Sequence, residues 1–414
     1  MKRRHFLRTS LVAASAPILG GTLFEATSPT WAAMSTAAKA RPRLRDLGII
    51  IGSLPTARYN AITDVAGVRV GHATLIHGEG ALVAGKGPIR TGVTVIQPHG
   101  GDVSRDPVRA ADWTLNGNGE LTGLGPLRRH GLLGSPIFFT DTGCVGTVYD
   151  AAMGHLLELN PQLFSHPFRP EPVVAETWAG FLNDTAGRHV GANEVRAALA
   201  NAAEHGDGEV AEGSVGGGTG MRAYGFKAGI GTSSRVISCE PNAADASPNQ
   251  RRQYTVGVLV QANHGRRHQL TVQGIPVGAE ITDQLPTPGK AAAAGHSLLI
   301  TIATDAPLLP IQLQRLCKRA ALGMARTGGI STHGSGDLSI AFSTAKTAAA
   351  EGAQEMLHFS QITQFHQAVV EATEEAILNA LTAAQTMVGR DGNRIFALPL
   401  ERFIDVMRRH GRLK

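Results

Sequence analysis

Runs of apolar residues along the chain predict a protein that mixes strands with helices. SLLITIAT at 297–304 and DLSIAFSTA at 337–345 are apolar runs typical of buried strands. Between them, apolar residues recur at helical spacing over 313–324, and a second helical pattern covers 362–381. This order of elements favours mixed sheets with helices packed outside them.

Weaker patterns predict the other elements. The segment 61–76 alternates and indicates a strand pair, and the polar, small residues of 265–295 indicate an exposed linker. Asp305 is placed to cap the helix that follows, with Pro307 in its first turn. Further strands are predicted within 91–102, 135–143 and 254–265, and further helices within 148–160 and 193–208.

The N-terminus has the pattern of an export signal. A basic start, MKRRHFLR, precedes a mild apolar segment and then small residues around Ala32. We therefore exclude 1–32 from the fold as a signal. Arg3 and Arg4 resemble the twin-arginine motif, whose route carries folded proteins, so the expected location is the periplasm. No apolar run reaches the roughly 18 residues that cross a bilayer.

The net charge and the cysteines give little evidence about the function. Four of the 39 lysines and arginines stand in the first eight positions, so the net charge of +6 is weak evidence for a nucleic-acid partner. The cysteines, Cys144, Cys239 and Cys317, have no zinc-like spacing and are predicted to be buried, with one disulfide left open. His264 and His268 lack a nearby carboxylate, so no metal is expected there.

Ser297 raises the main chemical question, because only Gly295 and His296 separate it from a run of small residues. A serine at a strand start is commonly a polar edge residue. Alternatively, cleavage before Ser297 would make it the first residue of a new chain. Its own α-amine, with an ordinary pKa of about 7.7–8.0, would then serve as the base that activates the hydroxyl.

Ordered motifs along the chain carry a resemblance to a known family. They are RDLGI, NAITDVAGVRVGHATLI, RTGVTVI, LNGNGELTG, PVVAETWAGFLND, EGSVGGGTGM, FKAGIGTSSR, VLVQANHG, HSLLITIATDAPLLPIQLQRLCKRAALGMARTGG and GSGDLSIAFSTA. Together they resemble the self-processing L-aminopeptidase D-esterase (DmpA) and β-peptidyl aminopeptidase family. The resemblance implies an α/β fold, a four-layer α/β/β/α sandwich of Ntn-hydrolase-like type, with no metal or organic cofactor.

The resemblance also implies self-cleavage between His296 and Ser297, with Ser297 as the nucleophile. Residues 33–296 would form the first chain of the catalytic domain, and residues 297–414 the second. The family's cut commonly follows Gly or Asn, so His296 is a departure from the pattern.

Supporting residues follow from the same motifs. Ser335 and Asp337 match residues that orient the nucleophile and its amine, and strand alternation would place both on one face. Asn263 matches the oxyanion donor, although His264 stands beside it where Phe or Tyr is more usual. Without the resemblance, GSGD would be a Gly-Ser turn entering a strand, and Asn263 a turn residue before Gly265.

The substrate side of the site is assigned in the same way. Glu176 matches the carboxylate that binds the substrate's free amino group, and Trp178 matches an aromatic wall of the pocket. Asn118 is a weaker candidate for the wall. Without the resemblance, an exposed helical Glu and a core Trp would be the better interpretation. The glycine run 213–220 lacks a GK[ST] ending, so close backbone approach explains it better than phosphate binding.

The sequence therefore predicts a serine aminopeptidase that hydrolyses the N-terminal residue of short peptides, amides or esters. The resemblance implies a homo-oligomer, a tetramer of two-chain units, with no nucleic-acid partner and no membrane contact after signal removal. Preference among L-α-, D- and β-amino-acid substrates stays open. Two alternatives remain: an acyltransferase of the ornithine acetyltransferase kind, which typically exposes Thr, and a non-catalytic periplasmic binding protein of the same fold.

Overall fold

The computed structural model describes residues 41–165, 168–239, 251–287, 297–346 and 356–413. The predicted signal at 1–32 and His296 lie outside these residues.

Fourteen strands and seven helices are found in the described ranges. The strands are β1 Arg69–His77, β2 Ile89–Gln97, β3 Val108–Gly117, β4 Leu132–Leu133, β5 Ile137–Asp141, β6 Val173–Thr177, β7 Arg222–Ala223, β8 Phe226–Lys227, β9 Ile230–Cys239, β10 Arg252–Asn263, β11 Ser297–Thr304, β12 Gly336–Ser343, β13 Met387–Val388 and β14 Arg394–Ile395. The helices are α1 Leu124–His130, α2 Val145–Leu159, α3 Ala192–His205, α4 Val277–Glu280, α5 Pro310–Arg326, α6 Ile362–Ala383 and α7 Leu400–Arg409.

Two mixed sheets form the centre of the fold. The smaller sheet has the strand order β1-β2-β5-β6, and the larger has the order β4-β3-β12-β11-β10-β9. In the larger sheet β11 runs parallel to β12 and antiparallel to β10. The strand that starts with Ser297 is therefore paired on both sides.

Helices cover the outer face of each sheet, which gives the four-layer α/β/β/α arrangement expected from the resemblance. Helices α2 and α3 pack on the smaller sheet, and α5 and α6 pack on the larger one. An apolar cluster fills the space between the sheets, with Ile137 and Phe139 on one side and Leu259 and Leu299 on the other. The central strands of these two sheets therefore show one face to a helix layer and the other face to the opposite sheet.

The predicted strand pair at 61–76 is wrong. The chain there forms a 3-10 turn, Ile62–Asp64, and then the single strand β1. Asp64 makes the turn, because its carboxylate accepts hydrogen bonds from the N–H groups of Tyr59 at 2.9 Å and Ala61 at 3.0 Å. Local side-chain bonds of this kind compete with strand pairing.

The expectation of an exposed linker is also wrong for the described part, 265–287. Val272, Val277 and Ile281 are buried there. Arg267 is 9% exposed and donates to the carbonyl groups of surrounding loops, and its guanidinium lies 3.4 Å from the centre of the Phe226 ring. One buried arginine therefore organises a segment whose composition is typical of a linker.

Asp305 does not cap α5 as predicted. The helix begins five residues later, where the side chain of Gln312 accepts a hydrogen bond from the Leu309 N–H at 2.9 Å. Asp305 instead accepts from the N–H of Thr255 at 2.7 Å and links the end of β11 to β10. Our sequence predictions also omitted β3, β6 and α7.

A buried ionic network fixes α6 to β9. Arg235, which is 0% exposed, donates to Glu371 at 3.1 Å and to Glu375 at 2.7 Å. Glu375 also binds Arg45 at 2.7 Å, so the network reaches the start of the described chain. Burial raises the pKa of both carboxyl groups. Hydrogen bonds and arginine charges outweigh it and leave both pKa values below the usual range.

All three cysteines are buried and free. Among the helices that the structure describes, none has both the length and the apolar character needed to cross a membrane.

We predict that Glu375→Gln destabilises the fold by about 3–5 kcal/mol at pH 7, because it leaves the Arg235 charge buried with one partner removed. A carboxyl with a lowered folded pKa stabilises the fold above its unfolded pKa, and this contribution disappears as the pH falls through the folded pKa. The variant should therefore lose less stability than the wild type on acidification below about pH 4.5. Urea unfolding at pH 7 and pH 4 measures both effects.

Glu374→Gln is the matched control, because it changes the adjacent residue of the same helix. Burial raises the pKa of Glu374, so the neutral amide should cost little there. An equal loss of stability in the two variants would contradict the role of the network.

Candidate active site

Ser297 is the first residue of β11 and lies in the middle of the larger sheet. It pairs with Asn263 of β10, and the next residue, Leu298, pairs with Asp337 of β12. Ser297 is 5% exposed, and its Oγ accepts a hydrogen bond from the Gly336 N–H at 3.0 Å. The hydroxyl is therefore held in place by the neighbouring parallel strand.

The face of the strand decides what Ser297 can reach. Side chains alternate along β11, and Leu299 packs in the core between the sheets, whereas Leu298 packs on the helix side. Ser297 shares its face with Leu299 and is directed toward the smaller sheet. Asp337 shares its face with Leu298 and lies on the helix side.

Ser335 and Asp337 are in direct contact on that face. The Ser335 hydroxyl donates to Asp337 Oδ1 at 2.7 Å. The other carboxylate oxygen, Oδ2, accepts from the Ser331 hydroxyl at 2.5 Å, and the Leu298 N–H is a third donor. Burial raises the pKa of Asp337, and these three donors oppose the rise without cancelling it. The Asp337 carboxyl therefore lies beside the peptide group that follows Ser297.

Asn263 joins the end of β10 to two loops. Its Oδ1 accepts from the Arg222 N–H at 3.1 Å, and its Nδ2 donates to the Trp178 carbonyl at 3.1 Å. Asn263 is 1% exposed. Because Trp178 directly follows β6, this bond links the two sheets next to Ser297.

Glu176 lies on β6, and the alternative of an exposed helical residue is wrong. The side chain is buried, with Thr142 Oγ1 donating to Oε2 and the Glu120 N–H donating to Oε1 at 3.2 Å. Burial raises the pKa of Glu176, and the hydrogen bonds from Thr142 and Glu120 offset part of the rise.

Gly119 shows how close Glu176 is to Ser297. A β-carbon placed on Gly119 would lie 3.2 Å from Glu176 Oε1 and also 3.2 Å from the Cα of Gly336. Gly336 in turn donates its N–H to Ser297. A carboxylate from the smaller sheet and a serine from the larger sheet are thus separated by the backbone of two glycines.

Trp178 and Asn118 border this arrangement. Trp178 is half-buried and packs against the small apolar cluster of Phe181, Leu182 and Ile395. Asn118 is exposed, and it supports the loop before β12: its Nδ2 donates to the Gly334 carbonyl at 2.9 Å, and its N–H donates to the Ser335 carbonyl at 3.1 Å. Every assigned residue except His296 is therefore described, and all lie near the start of β11.

Sequence reasoning missed two polar residues of this region. Ser331 gave no signal, because nothing in its local pattern separates it from an ordinary loop serine. Asp141 ends β5 and is fully buried, and its carboxylate accepts from the Ala179 N–H at 2.8 Å and from the Asn183 side chain at 3.1 Å. Asp141 therefore fixes the turn that follows Glu176. Only its position at a strand end could have suggested this role.

His264 takes part in a chain of hydrogen bonds behind Asn263. Thr327 donates its single hydroxyl proton to the Met324 carbonyl at 2.7 Å, so Thr327 Oγ1 accepts from Tyr224 at 2.7 Å. The Tyr224 oxygen then accepts from His264 Nε2 at 3.1 Å. The histidine is thus a hydrogen-bonded replacement for the Phe or Tyr that is more usual in the family.

The glycine run 213–220 packs against protein backbone. A β-carbon on Gly217 would lie 2.4 Å from the Phe139 carbonyl oxygen, and the Gly217 N–H donates to Thr94 Oγ1 at 3.1 Å. This agrees with close approach as the reason for the glycines. Over the ranges that the structure describes, no group of three His, Cys, Asp or Glu residues could hold a metal ion.

Comparisons with known proteins agree with this fold. Residues 60–395 match Peptidase family S58. The chain is 45% identical to the beta-peptidyl aminopeptidase BapA of Sphingosinicella xenopeptidilytica, over 90% of this chain and 93% of that protein. A beta-aminopeptidase of Burkholderia sp. has a solved structure with a TM-score of 0.75 at 44% identity, covering 89% of this chain and 99% of that chain.

A third relative connects the fold to its class. The L-aminopeptidase D-Ala-esterase/amidase of Ochrobactrum anthropi is described as a prototype of the serine aminopeptidases and a variant of the Ntn-hydrolase fold. It superposes with a TM-score of 0.79 at 38% identity, over 90% of this chain and 100% of that chain. The chain belongs to peptidase family S58 and is an aminopeptidase with an Ntn-hydrolase-like fold.

Proposed function

We propose that the chain cleaves itself between His296 and Ser297 and then hydrolyses N-terminal residues through an acyl-enzyme on Ser297. One observation carries the proposal: the Ser297 hydroxyl lies at the very start of β11, fixed by Gly336, with Glu176 on one side and Asp337 on the other. Cleavage would leave a first chain of residues 33–296 and a second of residues 297–414.

The proposed reaction uses the serine's own amine. In the cleaved chain this amine, as the neutral base, takes the proton of Ser297 Oγ while Oγ attacks the first carbonyl of the substrate. Asp337, held by Ser335, stabilises the ammonium that forms. The Nδ2 amino group of Asn263 stabilises the oxyanion. The ammonium then protonates the leaving amine, and water, activated by the same amine, releases the bound residue.

The requirement for a free N-terminus follows from Glu176. A buried carboxylate with two local donors still gains from a cation, because burial otherwise disfavours its charge. The substrate's ammonium group supplies that cation, and a blocked amine does not. We infer that the site selects unblocked peptides, amides or esters, with Trp178 and Asn118 forming its walls.

Relatives suggest the class of substrate. Two of the proteins most similar to this chain are named for β-peptides or β-amino acids. We therefore propose that short peptides with an N-terminal β-amino acid are among the substrates. A panel of p-nitroanilides of L-α-, D- and β-amino acids would test this by direct comparison of kcat/KM.

Location and assembly are further proposals. Residues 1–32 carry the basic and apolar pattern of a twin-arginine signal, which supports export of the folded protein to the periplasm. The resemblance to the family supports a tetramer of two-chain units, with no role for nucleic acid or for the membrane after signal removal.

Ser297→Ala should abolish both self-cleavage and hydrolysis, because it removes the attacking oxygen of both steps. On a denaturing gel the purified wild type should give two bands, the smaller beginning Ser-Leu-Leu, and the variant one. Ser339→Ala is the control, because Ser339 lies on β12 and its hydroxyl donates to the Trp113 carbonyl instead. A cleaved and active Ser297→Ala protein would overturn the site.

Glu176→Gln should lower kcat/KM for unblocked substrates by about 100-fold, mainly through KM, because it removes the charge that pairs with the substrate amine. Since burial raises the pKa of Glu176, the wild-type KM should fall as the pH rises through that pKa, and the variant should lose this dependence. Glu120→Gln, at an exposed carboxylate next to the site, should have little effect. Unchanged KM in Glu176→Gln would exclude this carboxylate as the amine-binding group.

Asn263→Ala should lower kcat by about 10²–10³-fold with a smaller change in KM, as expected for loss of one oxyanion donor. Steady-state kinetics on cleaved protein measures this, with Asn201→Ala on α3 as a control outside the site. A variant that keeps its kcat would rule out the oxyanion role.

A further inference from the structure

Asp337 is held at both of its carboxylate oxygens by serines from one short loop. Ser335 donates to Oδ1 at 2.7 Å, and Ser331 donates to Oδ2 at 2.5 Å. The Leu298 N–H is a further donor. The carboxylate can therefore neither rotate nor move along the strand without losing a hydrogen bond. The resemblance accounts for Ser335, and nothing in it accounts for Ser331.

Ser331 adopts a backbone conformation that a serine rarely takes. Its φ is +52°, in the left-handed region where a β-carbon is disfavoured. Asn116 of β3 holds the loop in this shape, because its Nδ2 donates to the Thr332 and His333 carbonyls, each at 3.2 Å. A conformation that costs free energy and is fixed by surrounding bonds is commonly found at functional sites. Here it directs the Ser331 hydroxyl onto Asp337.

The hydrogen bond from Ser331 favours the ionised form of the Asp337 carboxyl. Burial disfavours the ionised form, and each hydrogen-bond donor favours it. With Ser331 and Ser335 both donating, the charge is spread over two bonded oxygens in a mainly apolar space, next to Cys317 and Met324 of α5. Loss of one donor would raise the pKa of Asp337 further.

Two titratable groups near Asp337 stay neutral in the acid range. They are Tyr224 of the β7–β8 turn and Cys317, which lines the same cleft from α5. Burial raises the pKa of both. His264 contacts Tyr224 through Nε2. His333 lies in the same loop as Ser331, and cleavage would add the α-amine of Ser297.

We propose that Ser331 is a positioning residue of the active site, which holds the Asp337 carboxylate ionised and in one orientation beside the N-terminal amine of Ser297. The inference rests on the proposed function, because it needs the amine that cleavage releases. Ser331 itself touches neither the substrate nor the reacting atoms, and it acts through Asp337.

Two variants separate the hydroxyl from the backbone. Ser331→Ala removes the hydroxyl and keeps the unfavourable φ, whereas Ser331→Gly removes the hydroxyl and relieves the strain. Thr332→Ala is the control, because it removes a neighbouring hydroxyl of the same loop that is outside the set of donors to Asp337. All proteins are assayed as cleaved material, with the cleaved fraction measured on a gel.

We expect Ser331→Ala and Ser331→Gly to lower kcat about 10-fold with KM nearly unchanged, as for loss of a hydrogen bond to a charged group. The acid limb of the kcat profile at saturating substrate, which excludes the effect of Glu176 on KM, should move to higher pH by about one unit in both. Thr332→Ala should match the wild type in both readouts.

Three results would overturn the inference. They are a wild-type pH profile in both Ser331 variants, a defect in Ser331→Ala that Ser331→Gly restores, and a rise in KM at constant kcat. The first would show that the hydroxyl has no role, the second that only the backbone matters, and the third that Ser331 contacts substrate. If Ser297→Ala is inactive while the Ser331 variants behave as wild type, this inference fails and the proposed function stands.

Discussion

The parallel pairing of β11 with β12 is the constraint on which the site depends. It places the Gly336 N–H on Ser297 Oγ and Asp337 beside Leu298, so the serine and its supporting carboxyl are set by backbone geometry. Gly336 must be a glycine, because a β-carbon there would lie 2.8 Å from the Asn118 carbonyl oxygen. The absence of one side chain lets the loop after β3 close over the start of β11.

Two sheets contribute to the site, and the core between them sets their separation. Glu176 comes from the smaller sheet and Ser297 from the larger, while the Asn263–Trp178 hydrogen bond joins the two at the same level. Strands packed through a filled apolar layer cannot shift independently, because protein interiors are close-packed. The packing of the whole sandwich therefore sets the distance between Glu176, the amine-binding group, and Ser297, the nucleophile. Loops supply only the borders, such as Asn118.

The sequence pattern predicted those elements that depend mainly on residues close together in the chain. The bounds of β11 were predicted correctly, because SLLITIAT is a continuous apolar run, and α6 was predicted from its spacing. The predicted sharing of one face by Ser335 and Asp337 agrees with their direct contact.

Features set by distant partners could not be predicted in this way. The sequence of β6 is short and apolar, so Glu176 could be assigned to a helix. The segment around Arg267 has the composition of a linker, and only its stacking on Phe226 and its bonds to distant carbonyls give it a fixed structure. Ser331 is a further example, because its conformation depends on Asn116, far away in the sequence. The site residues were assigned from the resemblance. The sequence pattern alone would have assigned them as turn and strand-edge residues.

The two carboxyl groups on opposite sides of Ser297 differ in how their charge is compensated. Both are buried, and burial raises the pKa of each. Asp337 has three fixed donors, which compensate part of its charge before any substrate arrives, as suits a permanent partner for the serine's amine. Glu176 has fewer fixed donors and is compensated fully only by an incoming ammonium group. The number of donors at each carboxyl thus matches a permanent role for Asp337 and a substrate-dependent role for Glu176.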